Sequence, residues 1–180
     1  RAAMLDEGLT ILDRFWSGEA VTHRGPHYVV EGVSLEPLPL QRPRIPIWIG
    51  GEGRPALRRA ARWDGWLAPA TSPDGRATMV KSPERIAEMV ATIRRHRTTA
   101  APFEVAIDGY SDAGDPALPR AYGAAGATWW LESIHGVRGT LGEMLARVEA
   151  GPPCLDRGVS HGSSVRTQRS PGACVARRDH

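Results

Sequence analysis

A glycine-rich turn followed by an arginine is the stretch of this 180-residue chain best suited to binding a ligand. An apolar run precedes it, and an arginine- and alanine-rich helical pattern starts directly after it. This order predicts a buried strand, a tight turn and a helix N-terminus, whose free amides favour an anion such as phosphate. The same pattern also fits an ordinary strand-to-helix turn. The residues concerned are Gly50, Gly51, Glu52, Gly53 and Arg54.

The histidine and cysteine positions give no recognisable metal motif. His23 and His27 are four residues apart, but Gly25-Pro26 between them prevents the helix that would bring both imidazoles to one ion. The chain contains no His-x-His, Cys-x-x-Cys or His-Glu-x-x-His pattern. We therefore predict no metal site.

Apolar strands and amphipathic helices alternate after residue 44. Strands are predicted at residues 45–50, 65–68, 103–108 and 127–132, with helices at 55–62, 83–96, 116–125 and 141–150. Ser82 is placed to cap the second helix, Pro119 to interrupt the third, and Thr140 with Glu143 to form a capping box at the fourth. Four strands, each followed by a helix, predict a parallel sheet with right-handed crossovers.

The first 41 residues do not follow this alternation. A helical pattern is already under way at Arg1, which suggests a piece of a longer protein, and its apolar face ends near Gly18. The apolar face is predicted from Leu5, Leu9, Leu12 and Trp16. Two short apolar runs then flank Glu31-Gly32, which predicts a β-hairpin that turns at this pair.

The charge is distributed unevenly along the chain. Residues 154–180 hold five arginines and two aspartates, so totals of 23 basic and 20 acidic residues leave 18 of each in the rest. A neutral body gives no footprint for nucleic acid or a membrane surface. No apolar run approaches the roughly 20 residues of a membrane span, and no signal peptide is evident. We expect a cytoplasmic protein.

Two architectures fit the alternating part of the chain. One is an open doubly wound sheet, and the other is part of a (β/α)8 barrel. A dinucleotide-binding turn would need Gly-x-Gly-x-x-Gly, but Ala56 occupies the third glycine position after Gly51 and Gly53. A complete barrel takes about 250 residues, so the barrel interpretation implies only a half.

Several segments, in order along residues 1–153, resemble the luciferase-like monooxygenase family. Each motif is modest alone, but their shared order makes the joint resemblance specific. The segments are Trp16-Ser17-Gly18-Glu19, Val21-Thr22-His23-Arg24-Gly25, Ile45-Pro46-Ile47-Trp48-Ile49-Gly50-Gly51, Arg58-Arg59-Ala60-Ala61-Arg62-Trp63-Asp64-Gly65-Trp66, Ala125-Gly126-Ala127-Thr128-Trp129-Trp130-Leu131-Glu132-Ser133 and Ala150-Gly151-Pro152-Pro153.

The resemblance implies an oxidoreductase or monooxygenase that uses FMN or coenzyme F420 on a small organic substrate. The fold it implies is an α/β partial (β/α)8 TIM barrel, formed by the last four βα units with a β-hairpin excursion. Residues 1–153 would form this C-terminal half-barrel domain, and the full-length protein would be a homodimer. The cofactor phosphate would lie at the turn formed by Gly50, Gly51, Glu52, Gly53 and Arg54. The Glu52 side chain is expected to face solvent because a carboxylate repels phosphate.

Substrate-side residues are expected where the barrel strands end. The candidates are Ala68-Pro69, Asp108-Gly109 and Glu132-Ser133, with His135 nearby as a proton donor. Trp129 and Trp130 are expected to face opposite sides of the sheet, because neighbouring strand residues alternate.

Two alternatives stay open at the level of sequence. The chain could belong to another phosphate-binding barrel enzyme, such as an isomerase or a lyase, or it could be a remnant that is inactive alone. Residues 154–180 are rich in serine, glycine and arginine, lack hydrophobic periodicity and follow a strong helix stop. We predict that this tail is disordered or aberrant.

Overall fold

The computed structural model describes residues 1–68, 81–134 and 139–152. Two compact units divide between Ile47 and Trp48. The sequence predictions for Pro69, His135 and residues 154–180 fall outside the described residues. None of the described helices is both long and apolar enough to cross a lipid bilayer.

The first unit consists of a helix and a two-stranded antiparallel hairpin. Helix α1 spans Ala2–Phe15, strand β1 spans Val21–Arg24, and strand β2 spans Val29–Val33. Gly18 follows α1 with a positive φ of 88°, which agrees with the predicted helix end. The predicted apolar face of α1 is only partly right, because Leu9 is buried whereas Leu5 and Leu12 are exposed.

The hairpin turns earlier than the sequence analysis predicts. The turn lies at Gly25-Pro26, where the Gly25 amide donates to the Tyr28 carbonyl at 2.9 Å. Gly32, predicted to form the turn, instead lies inside β2 with φ of 62°, and its amide donates to Thr22 Oγ1. The Glu31-Gly32 prediction was wrong. Gly32 lies where the pairing of β2 with β1 is irregular, and the chain does not reverse there.

The second unit is a parallel four-stranded sheet with the strand order β3-β4-β5-β6. A helix follows each strand, as the alternating pattern predicts. The bounds are β3 Trp48–Gly50, α2 Arg54–Ala60, β4 Gly65–Ala68, α3 Pro83–His96, β5 Glu104–Gly109, α4 Ala117–Ala124, β6 Trp129–Glu132 and α5 Leu141–Glu149.

The described strands follow one another across the sheet without a change of direction. Right-handed crossovers therefore place their helices on the same face. This arrangement differs from a doubly wound sheet, in which the strand order reverses and helices cover both faces.

The two faces of the sheet have different burial. The helix-covered face contains the buried side chains of Ile49, Trp66, Val105 and Ile107. The opposite face, which we call the open face, exposes Trp48, Trp129 and Leu131 among its described residues. The core of the second unit therefore lies between the sheet and its helices.

The tryptophan pair in β6 separates as predicted. Trp130 packs on Tyr122 of α4, with ring centroids 5.4 Å apart. Trp129 lies on the open face, 6.0 Å from the ring of Trp48. Gly65 lies between these two strands and permits the approach, because a Cβ there would come within 2.6 Å of the Trp48 ring.

The helix ends largely confirm the capping predictions. Ser82 accepts a hydrogen bond from the Arg85 amide, and Thr140 forms a reciprocal capping box with Glu143. Pro119 does not interrupt α4, contrary to the prediction. It is the third residue of that helix, where its missing N–H would have had no intrahelical acceptor.

Candidate functional site

The glycine turn is held in place by a buried tryptophan. The carbonyl of Gly51 accepts a 2.7 Å hydrogen bond from Nε1 of Trp66, whose side chain is fully buried. Gly51 has φ of 115°, and a Cβ at this position would lie 2.9 Å from Cβ of Ala56. Gly50 has open space where a Cβ would be. The turn is therefore fixed on its inner side and accessible beside Gly50.

The start of α2 has features that suit a bound anion. Gly53 occupies the N-cap position and has no side chain that could accept hydrogen bonds from the first amides of α2. The first turn of α2 contains no acidic residue and does contain Arg54. Because α2 has only seven residues, its dipole is small. Backbone amides and basic side chains would carry most of the attraction.

Lys81 adds a basic group that the sequence analysis missed. Its Nζ lies 3.1 Å from a carboxylate oxygen of Glu52, and its side chain is 16% exposed against 55% for Glu52. The pairing offsets the negative charge that made Glu52 unfavourable next to a phosphate. Glu52 is exposed, as predicted, but it is not isolated.

The main chain of Lys81 is anchored separately from its side chain. Its carbonyl accepts a 2.5 Å hydrogen bond from the hydroxyl of Tyr122. Burial raises the pKa of Tyr122, and the neighbouring Glu84 raises it further, which keeps the hydroxyl protonated as a donor. No sequence motif links Lys81 with the glycine turn, because the pairing arises only when α3 packs beside α2.

Glu132, a predicted substrate-side residue, points toward the helices instead. Its carboxylate accepts hydrogen bonds from the Ser111 amide at 2.9 Å, the Ser111 hydroxyl at 2.5 Å and Nε1 of Trp130 at 2.9 Å. Arg147 of α5 lies 3.2 Å from the same carboxylate. We call Ser111, Trp130, Glu132 and Arg147 the strand-end cluster. The alternation along β6 places Glu132 on the helix-covered face, where these contacts account for its carboxylate.

The strand-end cluster is largely buried and densely bonded. Arg147 and Ser111 are both buried. The guanidinium of Arg147 donates to the Ser111 hydroxyl at 3.2 Å and to the Gly151 carbonyl at 2.5 Å. The cluster thereby ties the end of α5 and the segment after β5 to the end of β6. A structural role explains all of these contacts.

Asp108 and Ser133, by contrast, lie on the open face. Asp108 pairs in register with Leu131, and the Ser133 hydroxyl donates to the Asp108 carboxylate. The Ser133 amide also donates to the Gly109 carbonyl at 2.8 Å. Two of the predicted substrate-side residues are thus brought together.

The glycine turn and Asp108 share the carboxyl edge of the sheet. Gly50 is in register with Leu67, and Ala106 lies on the next strand at the same level, so Asp108 is two residues further along. Strand spacing then gives a separation of about 10 Å across the sheet and about 7 Å along it. One ligand of cofactor size could span this distance.

The described residues contain no group of three or more His, Cys, Asp or Glu side chains placed to hold a metal ion. The structure therefore adds no metal-ligand candidate within residues 1–68, 81–134 and 139–152.

The amino-acid sequence matches the profile of the luciferase-like monooxygenases over residues 1–129. This chain belongs to that family. Two uncharacterized relatives, one from Mycobacterium bovis and one from Mycobacterium tuberculosis, are each 31% identical to it over 114 residues. The aligned part is 62% of this chain and 36% of each relative, so the chain spans about a third of their length.

The chain is also similar to one relative and one solved structure whose names state a function. An F420-dependent glucose-6-phosphate dehydrogenase of Microbacterium testaceum is 39% identical over 62 residues, which is 34% of this chain and 18% of that enzyme. The structure of a coenzyme F420-dependent tetrahydromethanopterin reductase from Methanopyrus kandleri covers 63% of this chain at 17% identity, with a TM-score of 0.47. The match takes in 32% of that reductase chain.

Proposed function

We propose that this chain is the C-terminal part of a flavin- or F420-dependent oxidoreductase built on a (β/α)8 barrel. Family membership over residues 1–129 supports the reaction class. The sequential parallel sheet is what four successive units of a barrel would form. The isomerase or lyase alternative loses its support, because it rested only on a phosphate-binding turn.

The glycine turn is the observation that carries the proposal. Both FMN and F420 have a phosphate on a ribityl chain, and the turn offers a close backbone approach beside Gly50. Arg54 lies in the first turn of α2, and Lys81 lies beside Glu52. We assign phosphate binding to this turn, with the Gly53 end of α2 supplying amides and the two basic residues supplying charge.

The bound cofactor would supply the hydride or electron transfer, and the protein would position it and exclude water. A small organic substrate would then bind along the carboxyl edge of the sheet. The reacting ring would lie away from the glycine turn, since this turn holds the phosphate end. Assembly of the longer protein as a homodimer belongs to the same proposal.

A titration with FMN and with F420, followed by cofactor fluorescence, tests the assignment. The protein would be a fusion of this chain to the part of the M. tuberculosis relative that it does not cover, compared with the 180-residue chain alone. We expect the fusion to bind one cofactor at micromolar concentration. The chain alone is expected to bind more weakly, because the ring contacts would lie outside it. A correctly folded fusion that binds neither cofactor would overturn the proposal.

Substitutions that remove a positive charge distinguish a phosphate-binding site from an ordinary strand-to-helix turn. Arg54→Gln and Lys81→Gln are each expected to weaken binding of the preferred cofactor by about tenfold, which is typical of a charge-assisted hydrogen bond. Arg120→Gln, which removes the same charge from an exposed position on α4, is the matched control. Equal effects of all three substitutions would indicate non-specific electrostatics and contradict a built phosphate site.

A further inference from the structure

Two carboxylates lie near the carboxyl ends of neighbouring strands and face opposite sides of the sheet. Glu132 ends β6 on the helix-covered face, where Arg147 balances its charge at 3.2 Å. Asp108 lies one residue before the end of β5, on the open face. Within the described residues the contact to Asp108 is the Ser133 hydroxyl, and no cation is paired with it. Between these two carboxylates, only Glu132 has a cationic partner among residues 1–68, 81–134 and 139–152.

The surroundings of Asp108 are held firmly. The strand-end cluster fixes the segment after β5 to the end of β6 through the bonds between Ser111 and Glu132. The Ser133 amide bonds to the carbonyl of Gly109, directly after Asp108. Ser133 itself is buried, whereas Asp108 is only half-buried. The Asp108 carboxylate is therefore oriented on one side and accessible on the other.

We propose that Asp108, oriented by Ser133, binds an N–H or O–H donor group of the substrate, as found in amines and alcohols. A carboxylate is acceptor-only, and a serine hydroxyl that already donates its proton to that carboxylate can only accept. The pair therefore selects a donor and rejects another anion. Asp108 acts as a specificity-determining residue, and Ser133 is the positioning residue.

The position along the sheet agrees with this role. Asp108 lies about 10 Å across the sheet from the strand that carries the glycine turn, on the same edge. A cofactor whose phosphate is held at that turn would extend toward the region that Asp108 faces. That the bound group belongs to a substrate rests on the proposed function. The preference of Asp108 and Ser133 for a hydrogen-bond donor does not.

Three probes that share one ring test the selectivity of the 180-residue chain. Cyclohexylammonium, cyclohexanol and cyclohexanecarboxylate would be titrated at neutral pH while backbone amide shifts are recorded by two-dimensional NMR. We expect saturable shifts at Gly109 and Ser133 with the ammonium or the alcohol, and none with the carboxylate. The stronger of the two donor probes assigns the substrate group as an amine or an alcohol.

The variants identify the group responsible. Asp108→Asn keeps the shape and an acceptor for Ser133 but removes the charge, and about tenfold weaker binding of the ammonium is expected. Asp112→Asn, an exposed position after β5, is the matched control and is expected to change nothing. Ser133→Ala retains the carboxylate but releases its orientation, so a severalfold loss is expected.

Several results would overturn the inference. These are no shifts at Gly109 and Ser133 with either donor, equal binding of the carboxylate probe, or unchanged affinity in a folded Asp108→Asn protein. If that variant does not fold, the comparison of the three probes on the unmodified chain decides alone. Cofactor titration reports on the proposed function separately, so either idea can fail while the other stands.

Discussion

At the scale of single residues, the glycine turn shows how a conformation can demand one residue type. Gly51 combines a positive φ with a Cβ position that Ala56 already crowds. Gly142, on the exposed side of α5, has open space around it and an ordinary helical backbone. These two glycines therefore provide a matched pair for substitution.

We expect Gly51→Ala to lower the free energy of unfolding by about 1–3 kcal/mol, the usual cost of a strained backbone. Gly142→Ala is expected to raise it by about 0.5 kcal/mol, because alanine is the better helix former. Denaturant unfolding followed by circular dichroism measures both. Equal effects of the two substitutions would mean that the turn does not require its left-handed glycine.

The hydrogen bond from Trp66 to the Gly51 carbonyl gives a second prediction at this scale. Trp66→Phe leaves that carbonyl without its indole donor, so the protein is expected to lose about 1–3 kcal/mol of stability. Trp48→Phe serves as the control, because Trp48 is 36% exposed and lies on the open face. Thermal unfolding of the two variants makes the comparison, and a milder effect of Trp66→Phe would contradict the anchoring role.

At the scale of elements, one carboxylate fixes the hairpin to α1. Glu7 accepts hydrogen bonds from the His23 ring at 2.8 Å and from the amides of Tyr28 and His27 at 3.1 and 3.2 Å. Gly25 lies against the same carboxylate, where a Cβ would clash with it. The turn at Gly25-Pro26 is therefore built around Glu7, which explains why local turn propensity mispredicted it.

This contact makes the stability of the first unit depend on pH. Burial alone would raise the pKa of Glu7, but hydrogen bonds from His23, Tyr28 and His27 outweigh it and lower the pKa below the ordinary value of 4.5. A lowered pKa stabilises the fold above pH 4.5, and this contribution is lost as pH falls through the lowered value. Glu7→Gln should remove that part of the acid dependence, as measured by NMR of the hairpin amides between pH 2 and 6. An unchanged profile would contradict the prediction.

The elements of the second unit could be predicted because their signals are local. Hydrophobic period, helix caps and proline placement locate α3 and α5 almost to the residue. The surroundings of the Glu132 carboxylate could not be predicted from the sequence, because Ser111 and Arg147 belong to other elements and meet it only through packing. Lys81 was missed because its pairing with Glu52 depends on packing between helices.

At the scale of the whole molecule, the sheet of the second unit leaves apolar surface uncovered. Trp129 is 49% exposed and Leu131 is 38% exposed on the open face. Strands β3 and β6 are the outer strands of the described sheet. Exposed apolar surface beside an unpaired strand edge favours association between chains.

We therefore expect the 180-residue chain to self-associate as its concentration rises. Leu131→Lys should shift this association to higher concentration by placing a charge on the open face. Leu40→Lys is the matched control, because Leu40 is exposed in the first unit and lies outside the sheet. Sedimentation velocity over a range of concentrations provides the measurement. A chain that stays monomeric throughout would contradict the expectation.

The indole of Trp66 has an optical consequence. Its Nε1 contacts the carbonyl of the residue where the cofactor phosphate would be held. Indole emission overlaps the absorption of flavin and deazaflavin rings, so excitation energy would pass from Trp66 to a bound ring with an efficiency set by their separation. Because the chain contains six tryptophans, a variant that retains Trp66 alone would be needed to convert the quenching of indole emission into the distance between Trp66 and the ring.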